Sequence, residues 1–178
     1  MRQYAQGDAA AFNVLYARHQ GGLYRYVLRL VQAPQVAGDV FQDVWIKLVQ
    51  ASADWRSEQT VAPWLYTVAR NRAMDHLRAF KNQVFADPEV DALPADSDAS
   101  ALDLGTIVHN QHLGAALFSA VEALPLAQRE AFVLQQDAGM DLDTIAQLTQ
   151  SGVETVKSRL RYAKAALRVA LQKGGWHD

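Results

Sequence analysis

The sequence predicts an all-α protein: two small helical domains joined by a flexible acidic linker. Three observations predict it. Almost every patterned stretch of the 178 residues repeats its apolar positions at helical spacing, and no run alternates cleanly in the strand manner. Residues 82–105 hold two prolines, many Ala, Ser and Asp, and no period, which is the composition of a tether. The last third runs a short helix pattern, 141–150, through a Gly-containing turn into a basic helix, 153–167, the layout of a helix-turn-helix. The expected domains are 1–81 and 107–178, with 82–106 as linker.

Taken in order, the first helix starts at Asp8, a good N-cap ahead of AAAFNVLYARH. Gly21-Gly22 is expected to interrupt it, LYRYVLRLV to continue to about Val31, and Pro34 to end the element. A third helix is expected over 36–50. The stretch 52–62 has no clear period and reads as a loop. Pro63 then sits in the first turn of a helix reaching about Phe80. Beyond the tether, helices are expected near 109–123, 126–138, 142–149 and 153–172.

Composition bounds the function. Half the residues are hydrophobic, enough for real cores, and the formal charge is −2. Nucleic-acid binding must then come from local patches. Residues 82–105 contain Asp87, Glu89, Asp91, Asp96, Asp98 and Asp103 without a Lys or Arg. Residues 157–173 contain Lys157, Arg159, Arg161, Lys164, Arg168 and Lys173 without an acid. The absence of Cys excludes disulfides, thiolate-zinc sites and Cys nucleophiles. No apolar run approaches a membrane span, and the N-terminus lacks a signal peptide's hydrophobic core. A soluble, cytoplasmic protein with no direct membrane insertion is expected.

In the last helix Val153, Val156, Leu160, Ala163 and Leu167 make one apolar stripe. That seats a recognition helix and leaves donors on its other faces. Base contacts fall to Lys157, Ser158 and Arg161, phosphate contacts to Thr155, Arg159 and Lys164. A basic helix alone is better read as a solvated surface. The preceding helix, with Ile145, Ala146 and Leu148 as a packing face, shifts the balance to DNA.

In the third helix Val36, Val40, Val44 and Leu48, with Phe41 and Trp45, form a core face. Asp39, Asp43, Ile46 and Gln50 form a second, acidic stripe with one apolar member. In the fourth helix Leu65, Val68, Ala69, Ala73 and Leu77 face the core, with Arg72 close to the buried side. Arg70, Asn71 and Arg78 share another face, with Asp75 at its edge. Trp55, Trp64 and Tyr66 gather near its start beside Arg56. Rings next to guanidinium groups suit unstacked bases, but Trp64 and Tyr66 taken singly are better read as core aromatics, so this stretch alone does not give a single-strand role.

Five stretches now match one family in order and at its spacing: GDAAAFNVLYARHQGGLYRYVLRL (7–30), GDVFQDVWIKL (38–48), APWLYTVARNRAMDHLR (62–78), LPLAQREAFVL (124–134) and DLDTIAQL with VETVKSRLRYAKAALR (141–168). The chain resembles the extracytoplasmic-function (ECF) sigma factors, the small two-domain branch of the bacterial sigma-70 family. The resemblance implies a transcription initiation factor that binds core RNA polymerase and directs it to promoter DNA. It implies that 38–50 docks on the clamp helices of the largest polymerase subunit, through Asp39, Gln42, Asp43, Ile46 and Lys47. It implies that 53–78 binds and opens the −10 element and holds a base flipped out, through Arg56, Trp64, Arg70, Asn71, Asp75 and Arg78. The helix-turn-helix would read the −35 element as duplex, through Thr155, Lys157, Ser158, Arg159, Arg161, Tyr162 and Lys164. The tether would thread through polymerase channels. An anti-sigma factor is the expected regulator.

Two departures from the family stand out. Gln150 occupies a turn position that is usually Gly, and Gly152 follows two residues later. Gln135-Gln136-Asp137 replaces a more charged stretch. The large members carry further domains; none is expected here, and so recognition of an extended −10 element through them is not expected.

Three rivals fit less well. A free-standing helix-turn-helix regulator leaves the acidic stripe without a use. A helical adaptor leaves the basic helix unexplained. An enzyme would need a catalytic cluster, but His19, His76, His109, His112 and His177 are scattered. Only His109 and His112 share helical spacing, and no carboxylate is placed to complete a metal site. No cofactor and no metal are expected.

Overall fold

The computed structural model describes residues 1–55, 60–86 and 106–173, the stretches 82–86 and 106–113 by their helical course only. All regular structure among them is helical. The chain divides into two compact units, Met1–Ala92 and Leu93–Asp178. The expected tether lies mostly outside the described residues.

The first unit is built from α1 (Arg2–Ala5), α2 (Ala9–Val31), α3 (Pro34–Ala51) and α4 (Val61–Ala86). α2, α3 and α4 pack on one another pairwise, and α1 leans on α2. α1 has no counterpart in the sequence reading, because four residues carry no period. Asp8 caps α2 as expected, its carboxylate accepting from the Ala10 N–H at 2.9 Å.

The expected break at Gly21-Gly22 does not occur, and α2 runs unbroken through both. Glycine costs a helix about 1 kcal/mol against alanine, and packing explains its presence. A Cβ at Gly22 would sit 3.0 Å from the Tyr66 hydroxyl oxygen. Tyr66 is buried against Tyr26, with ring centroids 5.0 Å apart. The missing side chain lets α4 close on α2.

α2 ends at Val31 as expected, but Pro34 opens the next helix rather than terminating this one. The C-cap Gln32 lies in the left-handed region, and Pro34 takes the first turn of α3, where its missing N–H costs nothing. Val40, Val44, Leu48 and Trp45 are buried as the stripe predicts, joined by Ala37, while Val36 and Phe41 are half-buried. Tyr16 and Trp45, with centroids 4.8 Å apart, tie α2 to α3. α4 buries Leu65, Tyr66, Ala69 and Ala73 and leaves Val68 and Leu77 half-buried. It continues to Ala86, six residues past the expected end at Phe80.

The second unit holds α5 (Thr106–Glu122), α6 (Leu126–Gln136), α7 (Leu142–Thr149) and α8 (Val153–Lys173). α8 packs on the other three. Val156, Leu160, Ala163 and Leu167 are buried, and Val153 is half-buried at the entry to the helix. Ile145, Ala146 and Leu148 meet them from α7. Gly139, at φ +64°, supplies the left-handed residue of the α6–α7 turn.

One buried cation was not anticipated. Arg129 on α6 is 6 % exposed, and its Nη1 donates to the Glu122 carbonyl at 2.6 Å. That carbonyl closes α5, where the last turn has no intrahelical donors. Burial pulls the guanidinium below its usual pKa, and Glu122 partly offsets this.

Candidate functional site

Helix α7, the turn Gln150–Gly152 and α8 form the helix-turn-helix. Asp141 caps α7, accepting from the Thr144 N–H at 2.8 Å, and that bond holds its carboxyl below the usual range. The turn is made by Gln150 itself, at φ 53° and ψ 45°. The Ser151 N–H then donates back to the Ala146 carbonyl at 2.9 Å, the closing bond of a Schellman-type end. Gln150 therefore adopts the conformation that the family usually gives to Gly, and Gly152 does not take over that role. A side chain in this region costs roughly 1–2 kcal/mol. Gln150→Gly is expected to stabilise the second unit by about 1 kcal/mol. A thermal melt checks this, and an unchanged or lower melting temperature refutes it.

The predicted reader residues fall into two groups on α8. Thr155, Lys157, Arg161, Tyr162 and Lys164 are exposed; Ser158 and Arg159 are half-buried. Arg159 donates to the Ser151 hydroxyl at 3.3 Å, which fastens α8 to its turn. Lys157 binds Glu154 at 2.7 Å, and this raises the pKa of its ammonium. The Arg161 guanidinium lies 5.1 Å from the Tyr162 ring centroid, with Tyr162 widely exposed. Lys157, Arg161 and Lys164 also line a shallow groove of about 520 Å³, floored by Leu142, Leu160 and Ala165. Arg168 completes that basic row at i+11. It was not among the predicted reader residues, although the helical period from Lys157 points to it.

In the first unit Asp39, Gln42, Asp43 and Ile46 share the outer face of α3, and Lys47 is half-buried beside them. Ile46 is 45 % exposed, and Val49 is equally so on the same helix. Asp43 also reaches α4, its Oδ2 lying 3.7 Å from Arg72 Nε. On α4, Asn71, Asp75 and Arg78 are exposed, and Arg78 pairs with Asp75 at 3.0 Å. Arg70 is half-buried. Trp64 is half-buried against Trp55, ring centroids 5.4 Å apart and nearly perpendicular. Tyr66, grouped with them in the sequence, belongs to the core. Arg56 lies outside the described residues. Among the described residues no cluster of His, Cys, Asp and Glu could hold a metal ion, and no helix is long and apolar enough to cross a membrane.

The described surface thus carries a basic helix beside an open turn in one unit. The other unit carries an acidic stripe and an aromatic pair. The Sigma-70 region 2 family matches residues 15–82, and the Sigma-70 region 4 family matches residues 115–167. The chain is 30% identical over 173 residues to the RNA polymerase sigma-H factor of Pseudomonas aeruginosa, covering 94% of this chain and 89% of that protein. It is 31% identical over 168 residues to the ECF RNA polymerase sigma-E factor of Escherichia coli K12, covering 91% and 87%. Its fold is similar to the sigma factor RpoE of Bartonella quintana, solved in complex with the anti-sigma factor NepR, with a TM-score of 0.72 at 21% identity, covering 91% of this chain and 97% of that one. It is also similar to CnrH in complex with the cytosolic domain of CnrY, with a TM-score of 0.65 at 22% identity, covering 96% and 94%. The chain belongs to the ECF sigma factors of the sigma-70 family, transcription initiation factors and not enzymes, which serve core RNA polymerase at promoter DNA.

Proposed function

We propose that the outer face of α3 docks on the clamp helices of the largest polymerase subunit, with Asp39, Gln42, Asp43, Ile46 and Lys47 as contacts. The observation that carries this is Ile46. It stands 45 % exposed in a row with Asp39 and Asp43. An aliphatic residue in line with two carboxylates suits a basic partner surface with an apolar contact of its own.

On this reading the start of α4 takes the −10 element as a single strand. Trp64 beside Trp55 offers ring faces to an extruded base, Asn71 offers an amide to a base edge, and Arg56, Arg70, Asp75 and Arg78 border the strand. α8 enters the major groove of the −35 element. Lys157, Ser158 and Arg161 read bases there, while Thr155, Arg159, Tyr162 and Lys164 contact the backbone. Residues 1–81 and 107–178 act as the two DNA-binding domains, and 82–106 links them. The protein works in the cytoplasm, where RNA polymerase is, and an anti-sigma factor restrains it. The complex of the similar Bartonella factor with NepR supports that last element.

The test is co-elution with core polymerase. The wild type is expected to co-elute, and Ile46→Asp to lose at least tenfold in affinity, about the 1.4 kcal/mol that a desolvated interface carboxylate readily costs. Undiminished binding by Ile46→Asp would remove α3 from the docking surface. Wild type that ignores core but binds duplex DNA tightly would point to a free-standing regulator.

A further inference from the structure

Asp43 belongs to two places at once. It lies on the outer stripe of α3 and in the seam between α3 and α4, where it faces Arg72. The two side chains are 52 % and 41 % exposed. At 3.7 Å the Arg72 Nε–Asp43 Oδ2 approach is an ion pair but too long for a hydrogen bond. Arg72 Nε is itself buried and makes no hydrogen bond among the described residues. Buried donors are normally satisfied. The Nε thus meets Asp43 by charge alone, and an ion pair between two side chains this exposed is readily exchanged.

We infer that Arg72 is passed from Asp43 to a phosphate of the −10 strand when Asp43 engages polymerase. The inference rests on the docking role proposed for α3. In the free protein Asp43 holds Arg72 back against the seam. A polymerase cation at Asp43 competes with Arg72 for the same carboxylate, and Arg72 is released. Its neighbours on α4 are the residues of the −10 face: Asn71 precedes it, and Asp75 follows one turn later. Asp75 is already engaged by Arg78 at 3.0 Å. The phosphates of a bound strand then offer Arg72 its acceptor, and a guanidinium fits a phosphate through two donors at once. Docking on polymerase would thereby add a cation to the DNA face, and by linkage bound promoter would tighten docking.

The experiment uses the full-length protein, with Arg72→Met, Arg72→Lys and Ile46→Asp. Two quantities are read: affinity for core polymerase, and the salt dependence of promoter binding by the reconstituted holoenzyme. Arg72→Met frees Asp43 and is expected to bind core up to about fivefold more tightly. Its holoenzyme should lose one phosphate contact, so the slope of log affinity against log salt becomes shallower by about 0.7–0.9. Arg72→Lys should restore most of the slope. A merely structural Arg72 would not give this opposition of sign. Weaker core binding by Arg72→Met would mean that Arg72 braces Asp43 for docking, and would overturn the inference. An unchanged salt slope would overturn it equally. Should Arg72→Met fail to fold, Arg72→Gln gives the same two readings. If Ile46→Asp binds core normally, the docking role itself fails. If Ile46→Asp loses core binding but Arg72→Met shows no opposition, only the passing of Arg72 fails.

Discussion

Arg161→Glu is expected to cut transcription from a cognate promoter at least about tenfold while leaving core binding unchanged. Arg161 is exposed on α8 and lines the groove formed with Lys157, Lys164 and Arg168. A good base contact is worth about 1–3 kcal/mol of discrimination. Reversing its charge also forfeits counterion release and sets a carboxylate against phosphates. Its pairing with the Tyr162 ring is lost too, but both groups face solvent, so the fold has little to lose. Run-off transcription, with core co-elution and a thermal melt as controls, separates these effects. Full transcription by a folded Arg161→Glu would take α8 out of the promoter-reading role.

Arg129→Ala is expected to cost the second unit about 1.5–3 kcal/mol, the usual worth of a hydrogen bond to a charged partner in a buried setting. For a unit of this size that lowers the melting temperature by roughly 10 °C. The loss has two parts. The Glu122 carbonyl forfeits its donor, and α5 loses the positive charge that suits its C-terminal end. α8 leans on both α5 and α6, so the reader helix loses support from behind without any change at its DNA face. Arg129→Lys should recover only part of the loss, because one ammonium replaces a planar fork. A melt within 2 °C of wild type (about a quarter of a kilocalorie or so) would show that Arg129 is dispensable there.

Much of what depended on one helix's own period was legible in the sequence, although Val36, Phe41, Val68, Leu77 and Val153, placed on core faces by spacing, are only half-buried. The stripes Val40, Val44 and Leu48 on α3, and Val156, Leu160, Ala163 and Leu167 on α8, are buried as spacing predicts. The cap Asp8 is a local signal of the same kind; Asp141 caps α7 in the same way but was not read as a cap from the sequence. The helix-turn-helix followed from the stripes. Features set by a second element were not legible. Gly21-Gly22 looks like a break by propensity, and only the approach of Tyr66 from α4 shows why a helix keeps a glycine there. Tyr66 could be read as a core aromatic in sequence, but its partner Tyr26, which comes from another helix, could not be named.

Among the candidate contacts, the exposed sides of α3, α4 and α8 could be drawn from angular position. The pairs that cross between elements could not. Asp43 with Arg72 spans two helices, and Arg159 with Ser151 joins a helix to its turn. Arg129 could have been suspected, since it stands four residues before buried Val133 on the same side of α6. Gln150 was visible as a departure, but its left-handed backbone needed the structure.

The 3.0 Å between a notional Cβ at position 22 and the Tyr66 hydroxyl makes two distant positions a single unit of variation. The glycine is not free to drift alone. A lineage that gains even a methyl group at 22 must first shorten or tilt the side chain at 66, whereas loss of the hydroxyl at 66 relieves the contact by itself. The order of substitutions is therefore constrained as well as their identity: the tyrosine has to yield before the glycine can.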